Sequence, residues 1–91
     1  MKKIRRQILE AAICHYGFGT QRDKAIEELS ELIRALARCD DRENIAEEMA
    51  DVRIMLDQLE LIFDNREQVH DIELAKLMRL SERLRLGDTV G

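Results

Sequence analysis

Two acidic motifs hold the residues of this chain that are best suited to chemistry. Each motif places two acids three residues apart, Glu28 with Glu31 and Glu48 with Asp51. On a helix this spacing brings both side chains to one face, about one turn apart. If the two helices pack side by side, four carboxylates converge, and their mutual repulsion favours a bound divalent cation. An all-oxygen ligand set suits Mg²⁺, with Mn²⁺ as the alternative.

The second motif is the more informative, because an acid interrupts an apolar stripe. At about 100° per residue, the stripe of this helix consists of Ile45, Val52, Leu56 and Leu59. Glu48 falls inside the stripe and Asp51 lies on its edge. An unpaired carboxylate in such a place is costly, so we expect Glu48 to have a partner or a metal.

The alternative for each motif is an ordinary solvated helix face, since charged residues make up 37% of the chain. That alternative is favoured for the first motif taken alone and disfavoured for Glu48. The two motifs together favour a functional site. Glu27 and Glu47 point further from the apolar stripes, and we interpret them as acids that support the ligands or lie in solvent.

The elements that position these motifs are predicted to be helices of a single domain spanning residues 1–91. The chain has no proline and only four glycines, and it shows little β-strand pattern. Hydrophobic residues are 45% but aromatic residues only 3%, so the core must be small and aliphatic. We expect an all-α antiparallel bundle of about four helices, completed by homo-oligomerisation as a dimer or tetramer.

The helix ends are predicted from capping residues. The first helix spans 2–16 and Gly17 follows its C-terminus. The second spans about 21–38 with Thr20 as N-cap. The third begins at Asp40 or Asp41, and Asp40 with Glu43 resembles a capping box. It runs to about Phe63. Its C-terminal half is apolar on several sides, which predicts burial on several sides. The fourth begins at Asp71 and ends before Gly87.

Composition excludes several classes of function. The net charge of −4 argues against nucleic-acid binding. No apolar run approaches the length of a membrane span. Cys14 and Cys39 have neither CxxC nor zinc-site spacing, so we interpret them as reduced thiols of a cytoplasmic protein.

The fourth helix carries a basic face formed by Lys76, Arg79 and Arg83, which share one side by three-four spacing. These residues are either solvated or phosphate ligands that face the acidic cluster across the bundle. Tyr16, the only tyrosine, is either a packing residue or a platform for a base.

The acidic motifs and the sequence segments around them resemble those of the MazG-like, all-α nucleoside triphosphate pyrophosphohydrolases. That family's pattern is EExxE, a gap of variable length, then ExxD, and here Glu27-Glu28-x-x-Glu31 precedes Glu48-x-x-Asp51 by sixteen residues. The segments HYGFGTQRDKAIEELSELIRAL and IAEEMADVRIMLDQLELIF also fit, and KLMRLSERL is similar to the last helix of small, phage-type members. The resemblance covers about residues 15–84.

The resemblance implies Mg²⁺-dependent hydrolysis of a nucleoside triphosphate to its monophosphate and pyrophosphate, in a helical dimer or dimer of dimers. It implies that the four acids, Glu28, Glu31, Glu48 and Asp51, are metal ligands at the catalytic centre. It makes Lys76, Arg79 and Arg83 candidate phosphate contacts. It also places Gln21 near the substrate, where relatives often carry a polar residue.

Two other functions remain open from the sequence. Glu67 and His70 have the Glu-x-x-His spacing of carboxylate di-iron bundles, although they fall at a predicted helix boundary. The chain can also be a catalytically inactive helical homologue that binds nucleotides or a protein, in which case the basic helix face serves a partner.

Overall fold

A computed structural model describes the backbone of residues 2–90 and the side chains of residues 2–85. It contains four helices: α1 (Lys2–Tyr16), α2 (Phe18–Ala37), α3 (Arg42–Phe63) and α4 (Arg66–Val90). No strand occurs in residues 2–90. The all-helical, four-helix prediction is therefore confirmed. Within the described residues, none of these helices is both long and apolar enough to cross a membrane.

A single glycine joins α1 to α2. Gly17 adopts φ 91°, a backbone conformation that glycine tolerates and L-residues avoid. Its N–H donates to Ile13 at the end of α1, and its C=O accepts from the N–H of Gln21 in the first turn of α2. Because the turn is complete at Gly17, α2 begins at Phe18 and Thr20 lies inside the helix. The prediction that Thr20 is the N-cap was wrong.

Asp41 begins α3 as its N-cap. Its side chain accepts a hydrogen bond of 2.8 Å from the backbone N–H of Asn44, which satisfies one of the free donors at a helix start. Asp40 instead accepts from the side-chain amide of Asn44. Capping by Asp41 is confirmed, whereas the proposed capping box of Asp40 with Glu43 was wrong. The predicted end of α3 at Phe63 is also confirmed.

The α3–α4 connection is shorter than the sequence indicated. Asp64 takes a left-handed conformation with φ 51° and ψ 47°, and Asn65 C=O accepts from Val69 N–H at 2.9 Å. This turn lets α4 start at Arg66, so Asp71 lies within the helix and is not its cap. Gly87 lies within α4 as well. Both predicted ends of the fourth helix were wrong, and its start was misplaced because the left-handed Asp64 made the turn without glycine or proline.

The buried core lies where α2 packs on α3 and α1 covers both. The α2–α3 contact is the most extensive between any two helices. The apolar residues buried here are Leu9, Ile13, Ala25, Ala35, Val52 and Met55. An ion pair of 2.7 Å between Arg5 and Asp57 also joins α1 to α3, but both side chains are largely exposed and such pairs contribute only about 0–1 kcal/mol.

By contrast, α4 stands apart from this core, and in the described part of the chain it contacts α3 but neither α1 nor α2. Every α4 residue from 66 to 85 is exposed, including Val69, Ile72, Leu77 and Leu80. At the end of α3, Leu61 and Ile62 are half-buried and Phe63 is exposed. We expected the C-terminal half of α3 to be buried on several sides, and within one chain this burial is incomplete.

Candidate functional site

Three carboxylates meet where α2 and α3 run antiparallel. Glu28 comes from α2, and Glu48 and Asp51 come from successive turns of α3. One oxygen from each of the three lies within 4.8 Å of the others. The helix-to-helix convergence of the two motifs is thus present in the structure for these three residues.

Two oxygens of this cluster lack a partner although they are inaccessible to solvent. They are Oε2 of Glu28 and Oε2 of Glu48, and the whole Glu28 side chain is almost buried, at 7% exposed. A buried charged oxygen without a hydrogen bond is unfavourable. Oxygen ligands on opposite sides of Mg²⁺ lie about 4.2 Å apart, since each bond is about 2.1 Å. The oxygens of the three carboxylates lie within 4.8 Å of one another, slightly more than this span, so the cluster could hold a metal ion after small side-chain shifts.

The electrostatics of Glu48 point the same way. Its partial burial raises its pKa above the ordinary value of 4.5, because a desolvated carboxylate favours the neutral form. The negative charges of Glu31, Asp51 and Glu28 raise that pKa further. Glu48 thus sits in an excess of negative charge, which a cation would relieve.

The remaining acids of the two motifs lie at the edges of the cluster. Glu31 is half-buried, and its carboxylate is close enough to Glu48 to raise the pKa of Glu48. It lies outside the group of three whose oxygens converge. Glu27 and Glu47 are exposed, as their positions away from the apolar stripes predicted.

Lys24 is a site residue that the sequence reasoning missed. Its ammonium nitrogen lies 3.2 Å from Oε1 of Glu28 and 3.9 Å from Oε1 of Glu27. The hydrogen bond to Glu28 and the charge of Glu27 raise the pKa of Lys24, so it is a stable cation beside the cluster. The signal was present in the sequence, because Lys24 and Glu28 are four residues apart on one helix.

A groove of about 720 Å³ opens beside Glu28 and Asp51 of this cluster. It is bounded by α1, α2 and α3, and its lining includes Tyr16, Gln21, Lys24, Glu28, Asp51 and Gln58. The ring of Tyr16 stands edge-on to that of His15, with 4.6 Å between ring centroids. The groove thus has an acidic end, one lysine and an aromatic residue on its wall.

Two buried glutamines form the floor of this groove. Gln21 of α2 donates from Nε2 to Oε1 of Gln58 of α3 at 2.6 Å. Gln21 was singled out from the sequence, whereas Gln58 was not. Gln58 follows Asp51 by seven residues, so it lies on the same side of α3 as Asp51, at the edge of the apolar stripe and outside the reasoning applied to Glu48.

The basic residues of α4 do not join the acidic cluster within one chain. Lys76 lines a separate apolar groove on α4 with Val69 and Ile72. Arg79 and Arg83 are exposed on the same helix, and none of the three lines the groove beside the carboxylates.

The Glu-x-x-His pair of α4 is also remote from the cluster. Glu67 and His70 are exposed, and His70 lies 3.6 Å from the carboxylate of Asp71. Within the described residues, neither belongs to the group of acids that could hold a metal. The two cysteines, Cys14 and Cys39, are free and exposed.

Comparisons with protein-family models, with curated proteins and with solved structures found no match to this chain.

Proposed function

We propose that this protein is a Mg²⁺-dependent nucleoside triphosphate pyrophosphohydrolase. It would convert a ribo- or deoxyribonucleoside triphosphate and water into the monophosphate and pyrophosphate. The observation that carries the proposal is the convergence of Glu28, Glu48 and Asp51, with two buried oxygens that lack partners. The resemblance of both motifs to the MazG-like pattern agrees with it.

The carboxylates of Glu28, Glu48 and Asp51 would hold Mg²⁺, with Glu31 as a further ligand from the same face of α2. When bound, Mg²⁺ lowers the pKa of a coordinated water and offsets phosphate charge. Mn²⁺ can replace it at an all-oxygen site. One carboxylate of the cluster would accept the proton of the attacking water.

The groove would hold the nucleotide so that its phosphates face the acids and Lys24. The ammonium of Lys24 is already a cation at this place. Near the triphosphate it would offset the charge that develops on the leaving pyrophosphate. Glu27, which lies 3.9 Å from Lys24, would help to hold that lysine in position.

A second copy of the chain would complete the assembly as a dimer or tetramer. The exposed apolar residues of α4, among them Val69, Ile72, Leu77 and Leu80, are the surface such a copy would cover. Lys76, Arg79 and Arg83 lie outside the groove of their own chain. If they contact phosphates, they would do so in the groove of another copy.

The free cysteines agree with a reducing compartment, and we place the reaction in the cytoplasm. Removal of unwanted nucleotides from the pool is the role that this chemistry would serve there.

The decisive experiment measures pyrophosphate release from a panel of canonical and modified nucleoside triphosphates, with Mg²⁺ and with a chelator. Glu48→Gln should lower release by more than about 100-fold, which exceeds the usual cost of a residue that only supports a ligand. Glu47→Gln is the matched control, since Glu47 is the exposed neighbour, and it should retain activity. Silence across the panel from a folded protein would favour the inactive, ligand-binding homologue.

A further inference from the structure

The buried glutamine pair forms a second polar centre in the groove. Gln21 is 6% exposed and Gln58 is 4% exposed, so both amides are almost completely enclosed. They come from different helices and bond to each other at 2.6 Å. Apolar residues would fill this space between α2 and α3 at a lower desolvation cost. A paired amide at this depth therefore calls for a functional explanation.

The bond between the glutamines leaves hydrogen-bonding capacity unused. Gln58 Nε2 has the thioether sulfur of Met55 as its acceptor, at 3.8 Å, and a thioether is a weak acceptor. Oε1 of Gln21 receives no hydrogen bond from the described residues, although a carbonyl oxygen can accept two. One acceptor and one poorly satisfied donor thus remain at the floor of the groove.

The pair occupies a fixed position relative to the acidic cluster. Gln21 precedes Glu28 by seven residues on α2, and Gln58 follows Asp51 by seven residues on α3. Seven residues of helix span about 10.5 Å. Because the two helices run antiparallel, both offsets point in the same direction along the groove. The groove therefore has a carboxylate end and an amide end separated by roughly 10 Å, and the exposed Asp23 also lines it.

The chemistry of the amide end suits a nucleobase better than a phosphate. The pair carries no positive charge, and it offers a donor and an acceptor close together. The Watson–Crick edge of a base presents the same two kinds of group side by side, and proteins that bind a single base read that edge through hydrogen bonds. Tyr16 lines the same groove and supplies an aromatic wall.

We propose that the Gln21–Gln58 pair is the specificity-determining contact to the base of the bound nucleoside triphosphate. This inference rests on the proposed function, since it takes the acidic end as the phosphate end. Reversal of both amides together preserves their mutual hydrogen bond while exchanging the free donor for a free acceptor. In the orientation that the structure shows, Gln21 presents the free acceptor and Gln58 the poorly satisfied donor, so the pair favours the bases whose edge has the matching order of donor and acceptor.

The main test replaces both glutamines at once, as Q21M/Q58M. Removing both partners of a buried hydrogen bond and keeping the volume is far less disruptive than removing one. Gln7→Met is the matched control, because Gln7 is exposed on α1. Calorimetry measures binding of inorganic triphosphate with Mg²⁺, then binding of the α,β-methylene analogues of ATP, GTP, CTP and UTP and of their deoxyribonucleotides with Mg²⁺, for the wild type and both variants.

The expected result separates the two ends of the groove. Q21M/Q58M should bind inorganic triphosphate as the wild type does. Its affinity for the preferred nucleotide should fall roughly tenfold, the equivalent of one or two hydrogen bonds, and the four bases should become nearly equal. Gln7→Met should change neither affinity.

Three outcomes would overturn the inference. If Q21M/Q58M lost affinity equally for inorganic triphosphate and for the nucleotide, the glutamine pair would have only a structural role. An unchanged ranking of bases would place the base elsewhere. A loss for ribonucleotides that is absent for the matching deoxyribonucleotides would make the sugar hydroxyl its ligand. If wild-type protein binds Mg²⁺ but neither triphosphate nor nucleotide, the proposed function itself fails, which is a distinguishable result.

A second variant keeps the test decisive if the double variant does not fold. Gln58→Glu can still accept the hydrogen bond from Gln21 but offers no N–H group. It should change the ranking among the four bases. An identical ranking in folded Gln58→Glu protein would overturn the inference.

Discussion

The α2–α3 pair and α4 contain similar types of residue but differ in which of them they bury. Both regions are rich in leucine, glutamate and basic residues, yet α2 and α3 bury polar side chains that apolar residues could replace. These include Glu28, Gln21 and Gln58. In contrast, α4 leaves even its large apolar side chains exposed. Buried polar groups are what a ligand site between α2 and α3 would require, whereas uncovered apolar groups are what an interface on α4 would require.

The largest expected effect comes from the same substitution made in each region. Asp51→Asn removes a carboxylate from the cluster and should lower pyrophosphate release by more than about 100-fold. Loss of a metal ligand is expected to reduce activity more than loss of a residue that only orients a ligand. Asp71→Asn, on exposed α4, should leave the rate unchanged. Steady-state kinetics with Mg²⁺ measure both. Comparable losses in the two variants would mean that the regions do not differ in function.

A second prediction concerns the apolar side of α4. Introducing acids at Leu77 and Leu80, as L77E/L80E, should dissociate a homo-oligomer to a chain of 10.6 kDa, because each buried leucine contributes about 1.5–3 kcal/mol. Met78→Glu is the matched control, since Met78 is exposed but does not line the apolar groove on α4. Sedimentation or light scattering gives the masses. A monomeric wild type would contradict the predicted interface.

A third prediction compares two lysines. Lys24→Met should raise KM for the nucleotide roughly tenfold, the usual scale of a lost charge-assisted hydrogen bond. It should also tighten binding of Mg²⁺ in the absence of nucleotide, because a competing cation beside Glu28 has been removed. Lys76→Met in α4 should have a smaller effect on KM. If Lys76→Met matches Lys24→Met in an intact oligomer, α4 reaches the groove of another copy.

The smallest expected effect is on stability as a function of pH. The folded protein raises the pKa of Glu48 above its ordinary value, so the folded state binds this proton more tightly than the unfolded state does. The free energy of unfolding should therefore rise as pH falls from neutral through the folded pKa, and level off near the ordinary value of 4.5.

Thermal unfolding of metal-free protein in a chelator checks this sign. Other carboxylates titrate over the same range, so the useful quantity is the difference between the wild type and Glu48→Gln. At neutral pH Glu48→Gln should be more stable than the wild type by a few degrees in Tm, and the difference should shrink as pH falls. A wild type that is the more stable protein at neutral pH would mean that Glu48 has a favourable partner.

The sequence predicted the class of fold because helix-forming residues and apolar spacing act locally. The ends of α1 and α3 were predictable for the same reason, since Gly17 and Asp41 act on their immediate neighbours. The start of α4 was not, because a left-handed aspartate at Asp64 makes a turn that glycine more commonly makes. The start of α2 was predicted at about residue 21, which is too late, because Gly17 alone makes the turn between α1 and α2.

The part of the site around Glu48 was predictable, because an acid inside an apolar stripe indicates a carboxylate that needs a partner or a metal. That reasoning found Glu48 and its neighbours, but it was applied only to charged residues. Gln58 was missed because it lies about 120° round the helix from Val52, outside the predicted stripe. Lys76, Arg79 and Arg83 share one face of α4 but lie outside the groove of their own chain. This was not predictable, because periodicity within one helix does not specify which neighbour that face meets.

The antiparallel register of α2 and α3 also determines which changes of length the gene can tolerate. The glutamine pair and the acidic cluster both depend on a spacing of seven residues in each helix. Deleting one residue between Asp51 and Gln58 would turn every later side chain of α3 by about 100° and separate the two ends of the groove. The connection at residues 38–41 is free of that constraint. Insertions and deletions should therefore accumulate in this connection and be excluded from the helix bodies on either side.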